Sequence, residues 1–227
     1  SNLYSETIIV NVSDKKKYYC KKLGGLDLGN GSFSWNGKLI GGAEGFLSFA
    51  NVSGYLNGSL IAPNGVFYTI RGNVGNLTIV KSSNSEHLQC GGCHVEKTKL
   101  PRDPRLAAQP VNSWRNGDAN LIDLLLVYPT VVKTEAGGAT AVESTIASSV
   151  SDANLCYQNS LVPIQLRVVH IVEINYTPTG ILNTELDRLK NPNDGYFDNI
   201  HSLRDQYGAD LVCMLTTQSD SGGLAST

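Results

Sequence analysis

Leu121-Ile-Asp-Leu-Leu-Leu-Val-Tyr128 is a nearly continuous apolar run of the length of one strand. A strand with a wet face alternates apolar and polar residues, whereas one covered on both faces reads as an unbroken hydrophobic run. Such strands belong to parallel sheets whose crossovers are helices. The sequence after this run supplies the rest of the pattern. Thr140 and Glu143 form a Thr-x-x-Glu capping box behind Gly137-Gly138, a signature of a helix start. Val142, Ile146, Val150, Ala153 and Tyr157 then recur at helical spacing. Residues 164–175 read as a second strand, with Ile164, Leu166, Val168, His170, Val172 and Ile174 on one face. A helix carrying Leu182, Leu186 and Leu189 follows. Another begins behind Asp194, is striped by Tyr196, Ile200, Leu203 and Tyr207, and ends at Gly208. Residues 211–216 make a third strand. Strand, helix, strand, two helices, strand implies a parallel core with right-handed crossovers.

Upstream of residue 96 the grammar is different. Thr7-Ile-Ile-Val-Asn-Val12, residues 33–40, 45–52, 55–61, 66–71 and 77–80 are short strand candidates, and the basic run Lys15-Lys16-Lys17 separates the first from the second. Pro63-Asn64-Gly65 marks a tight reversal, because proline presets φ and Asn-Gly tolerates the positive φ a turn needs. A β meander closing into a sandwich or partly open barrel is the expected outcome, with Trp35 in its core. Residues 96–119 hold Pro101, Pro104 and Pro110 among Lys97, Lys99, Arg102 and Arg105. Prolines and charges of this density make a connector, and exposed connectors are where proteases cut. The expectation is α+β overall: a β-rich unit over 1–95, a linker over 96–119 with cleavage near Lys99, Arg102 or Arg105, and an α/β unit over 120–227.

Composition sorts the function classes. The chain of 227 residues is 41% hydrophobic and 17% charged, as globular proteins are, and no run approaches the ~18–20 apolar residues of a membrane-spanning helix. Its net charge of −2 hides an asymmetry: residues 1–119 carry 13 Lys+Arg against 8 Asp+Glu, and residues 120–227 carry 5 against 12. Nothing in this balance calls for nucleic acid. It does predict that the two parts attract each other through complementary fields. No signal peptide is read at Ser1-Asn2, and removal of one from an exported protein is an expectation that the sequence leaves open.

Chemistry-bearing motifs are few. The histidines are His87, His94, His170 and His201. No H-E-x-x-H, phosphate loop or G-x-S-x-G occurs. His170, in a strand, reads as structural, and His201, beside the apolar stripe, as solvated. The dense cluster is Cys90-Gly91-Gly92-Cys93-His94. It satisfies the C-x-x-C-H pattern of c-type haem attachment, yet sits between a meander and a proline-rich linker instead of opening a helix. A redox pair, half of a zinc knuckle and a disulfide joining Cys90 to Cys93, or one of them to Cys20, stand as alternatives.

A resemblance bears on these choices. Asp123-Leu-Leu-Leu-Val-Tyr-Pro129, Gly137-Gly138, Tyr157-Gln-Asn-Ser160, Leu166-Arg-Val-Val-His170, Tyr176-Thr177, Asp194-Gly195 and Leu203-Arg-Asp-Gln-Tyr-Gly-Ala-Asp-Leu-Val212 occur in this order. Together with Gly222-Gly-Leu-Ala225 they resemble the start of the catalytic domain of bacterial reprolysin-like metzincins, including those grouped with peptidyl-Asp metallopeptidases. Residues 33–93, with Trp-x-Gly at 35–37 and Cys-Gly at 90–91, resemble propeptides of the same family. The resemblance implies a secreted zinc endopeptidase acting on peptide or protein substrates, its zinc held by three histidines of a motif that these residues do not contain. It also implies a prodomain that docks on its own catalytic domain. Cys90 is then the latency ligand for zinc, with Cys93 its rival, and Gly222, Gly223, Leu224 and Ala225 form the edge that pairs with substrate. Activity of the chain by itself is not expected. A non-catalytic, adhesin-like binding module is the competing class.

Overall fold

The structure, a computed structural model, describes residues 5–41, 44–82, 120–217 and 225. It divides into two compact units, residues 1–85 with 136–156, and residues 86–135 with 157–227.

The first unit is a curled antiparallel meander. Its strands are β1 (Thr7–Ser13), β2 (Lys16–Gly24), β3 (Asp27–Gly29), β4 (Ser32–Leu39), β5 (Phe46–Val52), β6 (Tyr55–Ala62), β7 (Val66–Asn73) and β8 (Asn76–Ser82). They pair in the order β1-β2-β4-β5-β6-β7-β8, with β3 beside β4. Ser53 (φ 48°) and Gly54 (φ 88°) form the two-residue turn between β5 and β6. Successive positive φ values there match the right-handed twist of the flanking strands. Pro63–Gly65 forms a single 3₁₀ turn, in which Gly65 has the positive φ of 73°. The curl brings Ile8 and Val10 of β1 and Leu77 and Ile79 of β8 around one apolar hollow of about 260 Å³.

Alternation along the strands sorts two faces. Trp35, Leu47, Phe49, Leu56, Leu60 and Ile70 point into a common apolar core. Trp35, fully buried, stacks on Phe49 with ring centroids 5.7 Å apart. Its indole Nε1 donates to the carbonyl of Ser5 at 2.9 Å, so the polar end of the ring is satisfied inside the core. The opposite face carries Ser32, Ser34, Asn36, Ser48 and Ala50, in β4 and β5, and these too are buried. Their cover is the helix α2 (Ala139–Asn159), which through Cys156 belongs to this unit.

Three elements escaped the sequence reading. The start of β2 reads as a basic run because lysines flank it, yet Cys20 and Tyr18 alternate inward between them. β3 is too short to carry a pattern. α1 (Thr130–Ala136) begins directly after the proline that ends β9, the strand Asn120–Pro129. The capping box also fails. α2 starts at Ala139, so Thr140 lies within the first turn and Gly138, at φ 135°, precedes the helix. The buried side of α2 is Ala141, Val142, Ser144, Ile146, Ser148 and Ser151, a more polar stripe than the expected one. Serine bonds poorly to apolar surfaces, and it is buried here because the sheet offers it polar partners.

The second unit is built on a parallel sheet ordered β10-β9-β11, with β10 (Ile164–Ile174) and β11 (Leu211–Met214) on either side of β9. Leu124, Leu125, Leu126, Val127 and Tyr128 of β9 are all buried, as the unbroken apolar run requires. α3 (Leu182–Lys190) and α4 (Asp198–Tyr207) follow β10. Leu125 and Val127 pack with Phe197, Ile200 and Ala209, and with Val172, Leu189 and Leu203 at the margin. Gly208 adopts the left-handed conformation (φ 64°) that ends α4, its amide hydrogen-bonding back to the helix. The one-face reading of β10 is corrected by a bulge. The register with β9 shifts between Val168 and His170, and an extra residue inverts alternation beyond it. Val169, Val172 and Ile174 accordingly reach the core.

Candidate functional site

The carboxyl ends of β9 and β11 are the business end of a parallel sheet by the general rule for such folds. β11 enters beside β9 with Leu211 opposite Leu124 and Met214 opposite Val127. The ladder runs one residue further, the Leu215 amide donating to the Val127 carbonyl at 2.9 Å. Thr216 follows with its buried hydroxyl unpartnered among the described residues. At the other end, the Asp210 carboxylate accepts from the Asp123 amide and the Asp210 amide donates to the Asp123 carbonyl, each at 2.8 Å. Arg167 grips Asp123 with two bonds of 2.7 Å. Its guanidinium holds the Asp123 carboxyl below the usual range. Lys133, hydrogen-bonded to Glu173 at 2.7 Å, does the same to that carboxyl and ties α1 to β10.

The densest polar construction of this unit surrounds Glu185, which is only 4% exposed. One carboxylate oxygen accepts from the Tyr176 hydroxyl at 2.5 Å, and the other from the Thr179 amide at 2.5 Å and its hydroxyl at 2.7 Å. Arg188, one turn along α3, donates to the Tyr176 hydroxyl at 2.6 Å and to that of Tyr196 at 3.1 Å. Its guanidinium lies 3.8 Å from the centre of the Tyr196 ring, within cation–π range. Burial, then the neighbouring Glu185, pushes the Tyr176 hydroxyl above its ordinary pKa. This constellation pins residues 176–179 to α3. Sequence reasoning missed it because the leucines of α3 were taken to set its buried side. The available signal was slight: Glu185 is one of two acids flanking Leu186, and Asp187, the other, is exposed.

Among the described residues, no group of three or more His, Cys, Asp or Glu comes together to hold a metal. His170 stacks on Tyr207, ring centroids 3.8 Å apart and planes 11° from parallel, which is a packing role. His201 is half-buried, and its Nε2 is enclosed without a hydrogen-bond partner. The expectation of a solvated imidazole is therefore corrected. Ile200 is the one fully buried residue of α4, and the adjacent His201 shares part of its cover. The described residues accordingly do not fit a zinc ion. Cys90, Cys93, Lys99, Arg102, Arg105, Gly222, Gly223 and Leu224 lie outside the described residues, and Ala225 is exposed. Of the remaining cysteines, Cys20, Cys156 and Cys213 carry free thiols, so a Cys20-linked disulfide is absent. No described helix is long and apolar enough to cross a membrane.

Residues 143–227, which take in most of α2 with β10, α3, α4 and β11 but not the central strand β9, match the family described as metallo-peptidase family M12B, reprolysin-like. The match covers less than half of the chain. Zinc is the cofactor of that family in general. A peptidyl-Asp metalloendopeptidase of Xanthomonas campestris pv. campestris is 35% identical over 132 residues, which are 58% of this chain and 30% of that protein. Proteins of the same name from Stenotrophomonas maltophilia (strain R551-3) and Pseudomonas aeruginosa are each 32% identical, over 49% and 44% of this chain and 26% and 16% of their own lengths. The chain therefore spans less than a third of the curated relatives it matches. A solved structure titled "Structure of a chaperone-substrate complex" shares 25% identity across 48% of this chain and 18% of that one, at a TM-score of 0.39.

Proposed function

We propose that this chain is the zymogen portion of a secreted zinc metalloendopeptidase. Residues 1–95 are the prodomain, 96–119 the activation connector, and 120–227 the amino-terminal subdomain of a metzincin catalytic domain. The observation that supports this best is where the reprolysin-like match falls. It covers α2, β10, α3, α4 and β11, the crossovers and outer strands of the parallel sheet, and leaves the meander to a separate role. Substrate is a peptide, and the similarity to peptidyl-Asp metalloendopeptidases makes aspartyl peptide bonds the first to be assayed. An extended peptide pairing with an edge strand along Gly222, Gly223, Leu224 and Ala225 gains main-chain hydrogen bonds, and small residues permit that close approach. Cys90 is the latency thiol, Cys93 its rival, and cleavage near Lys99, Arg102 or Arg105 separates the prodomain.

The chain itself is inactive on this reading, because its sequence holds no H-E-x-x-H to bind zinc and supply the general base. Elemental analysis of the purified chain is expected to find no stoichiometric zinc, and a casein assay no cleavage. Stoichiometric zinc together with cleavage abolished by a chelator would refute the assignment. For the latency thiol, Cys90→Ser and Cys93→Ser in the full-length proenzyme decide. An unprocessed Cys93→Ser enzyme that is active, beside a latent Cys90→Ser, exchanges their roles.

A further inference from the structure

The polar face of the meander makes specific bonds to α2. Ser151 donates its hydroxyl to that of Ser34 at 3.0 Å and accepts from the Asn36 amide at 2.9 Å. The Asn36 carbonyl oxygen in turn accepts from the Ser48 hydroxyl at 2.7 Å. Two turns earlier on the helix, Ser144 is hydrogen-bonded to the carbonyls of Ala50 at 3.1 Å and Tyr55 at 3.3 Å. Beside it, Asn57 donates to the Thr145 hydroxyl at 2.7 Å. Ser144, Ser148 and Ser151 stand at helical spacing on one side, and all are buried. Their small size lets the helix lie close enough for its hydroxyls to reach backbone carbonyls of the sheet.

We propose that this face is the surface by which the prodomain holds the catalytic chain, with α2 as its occupant, and that the grip outlasts cutting of the connector. The inference rests on the zymogen reading, because only a cut between residues 82 and 120 turns the contact into one between two chains. The composition of the surface suits a partnership that must later end. Serine, threonine and asparagine are uncharged and small, the one acid in the contact is Asp152 of α2, hydrogen-bonded to Ser48, and water satisfies each of these groups on parting. The sheet keeps its own core on the other side, around Trp35 and Phe49, so α2 is able to leave without unmaking it. An apolar face in the same place would hold more tightly and leave a large sticky surface on both products.

The test uses the whole chain with a recognition sequence for a specific protease placed between Arg105 and Leu106. A Trp114→Phe background leaves Trp35 as the sole indole, since the sequence has two tryptophans. After complete cleavage the two pieces are expected to co-elute from a sizing column at micromolar concentration. Ser144→Arg with Ser151→Arg is expected to weaken the pair about tenfold or more, since at least two buried bonds are lost and bulk is forced between the surfaces. Trp35 emission, staying that of a buried indole, shows that the sheet survives. If the double variant perturbs that emission, Asn57→Ala with Thr145→Ala removes one bond without added bulk, and a smaller weakening is expected. Pieces that separate once the wild-type connector is cut overturn the proposal, as does a well-folded arginine variant that co-elutes as tightly as wild type. Neither result touches the zymogen reading, which stands or falls with zinc and latency in the full-length enzyme.

Discussion

Replacing Glu185 by alanine should destabilise the second unit by about 3 kcal/mol. The carboxylate is 4% exposed and accepts three hydrogen bonds, and bonds to a charged group contribute roughly 1.5–3 kcal/mol each before losses are shared. Deletion leaves the Thr179 amide and hydroxyl without an acceptor. It also leaves the Tyr176 hydroxyl accepting from Arg188 with no group to donate to. Removing one member of a buried charged network costs about 3–5 kcal/mol. The lower end applies because Thr179 is near enough to solvent to recruit water. Glu185→Gln should cost less, about 1–2 kcal/mol, since its remaining carbonyl oxygen still serves Thr179 and only the Tyr176 bond is compromised. Urea unfolding followed by far-ultraviolet circular dichroism measures both. Hydrogen exchange at the Thr179 amide localises the effect, and should accelerate in the alanine variant more than in the glutamine one. An alanine variant within 0.5 kcal/mol of wild type, with Thr179 exchange unchanged, would show that Glu185 does not organise this segment.

Gly58 lies under Phe49, and a Cβ there would come within 2.3 Å of both the Phe49 Cβ and the Ser48 carbonyl. Gly58→Ala should therefore destabilise the meander by about 1–3 kcal/mol, read from Trp35 fluorescence during denaturation, whereas Gly54→Ser at the exposed turn should leave the Trp35 environment unchanged. Burial pushes the Cys20 thiol up to about 11. A group whose folded pKa is raised favours the native state below its unfolded pKa and loses that contribution as pH climbs, so the first unit should weaken between about pH 9 and 11. Cys20→Ala should flatten that decline, and a thiol reagent at pH 8 should label Cys20 only on unfolding. A Cys20 that reacts as fast as exposed Cys156 would contradict its burial.

Local pattern carried most of the second unit. The unbroken run 121–128 and the glycine closing α4 were legible because each is a period or a cap, properties that neighbours in sequence share, whereas of the stripe expected on α4 only Ile200 and Leu203 turn inward, Tyr196 and Tyr207 being exposed. The similarity to reprolysin-like peptidases was legible for the same reason, through an ordered set of short segments. The meander from β4 to β8 also announced itself through alternation and turns, while β2 did not, because charged flanks masked a single inward pair. His201, the bulge in β10 and the Glu185 constellation went unread. Each depends on what a distant segment places opposite the residue.

The two faces of the meander mark where sequence stops deciding. Alternation alone determined that Trp35, Leu47, Phe49 and Leu60 share a side, because a strand turns its side chains through half a revolution at each step. It also assigned Ser34, Asn36 and Ser48 to the other side, where such residues ordinarily meet water. That they are buried, and that serines of a helix more than a hundred residues along the chain bury them, was decided only in the tertiary structure. A hydroxyl is satisfied equally well by solvent or by another hydroxyl, so its presence in a sequence leaves the partner open, whereas a tryptophan or leucine run has only one favourable place to go.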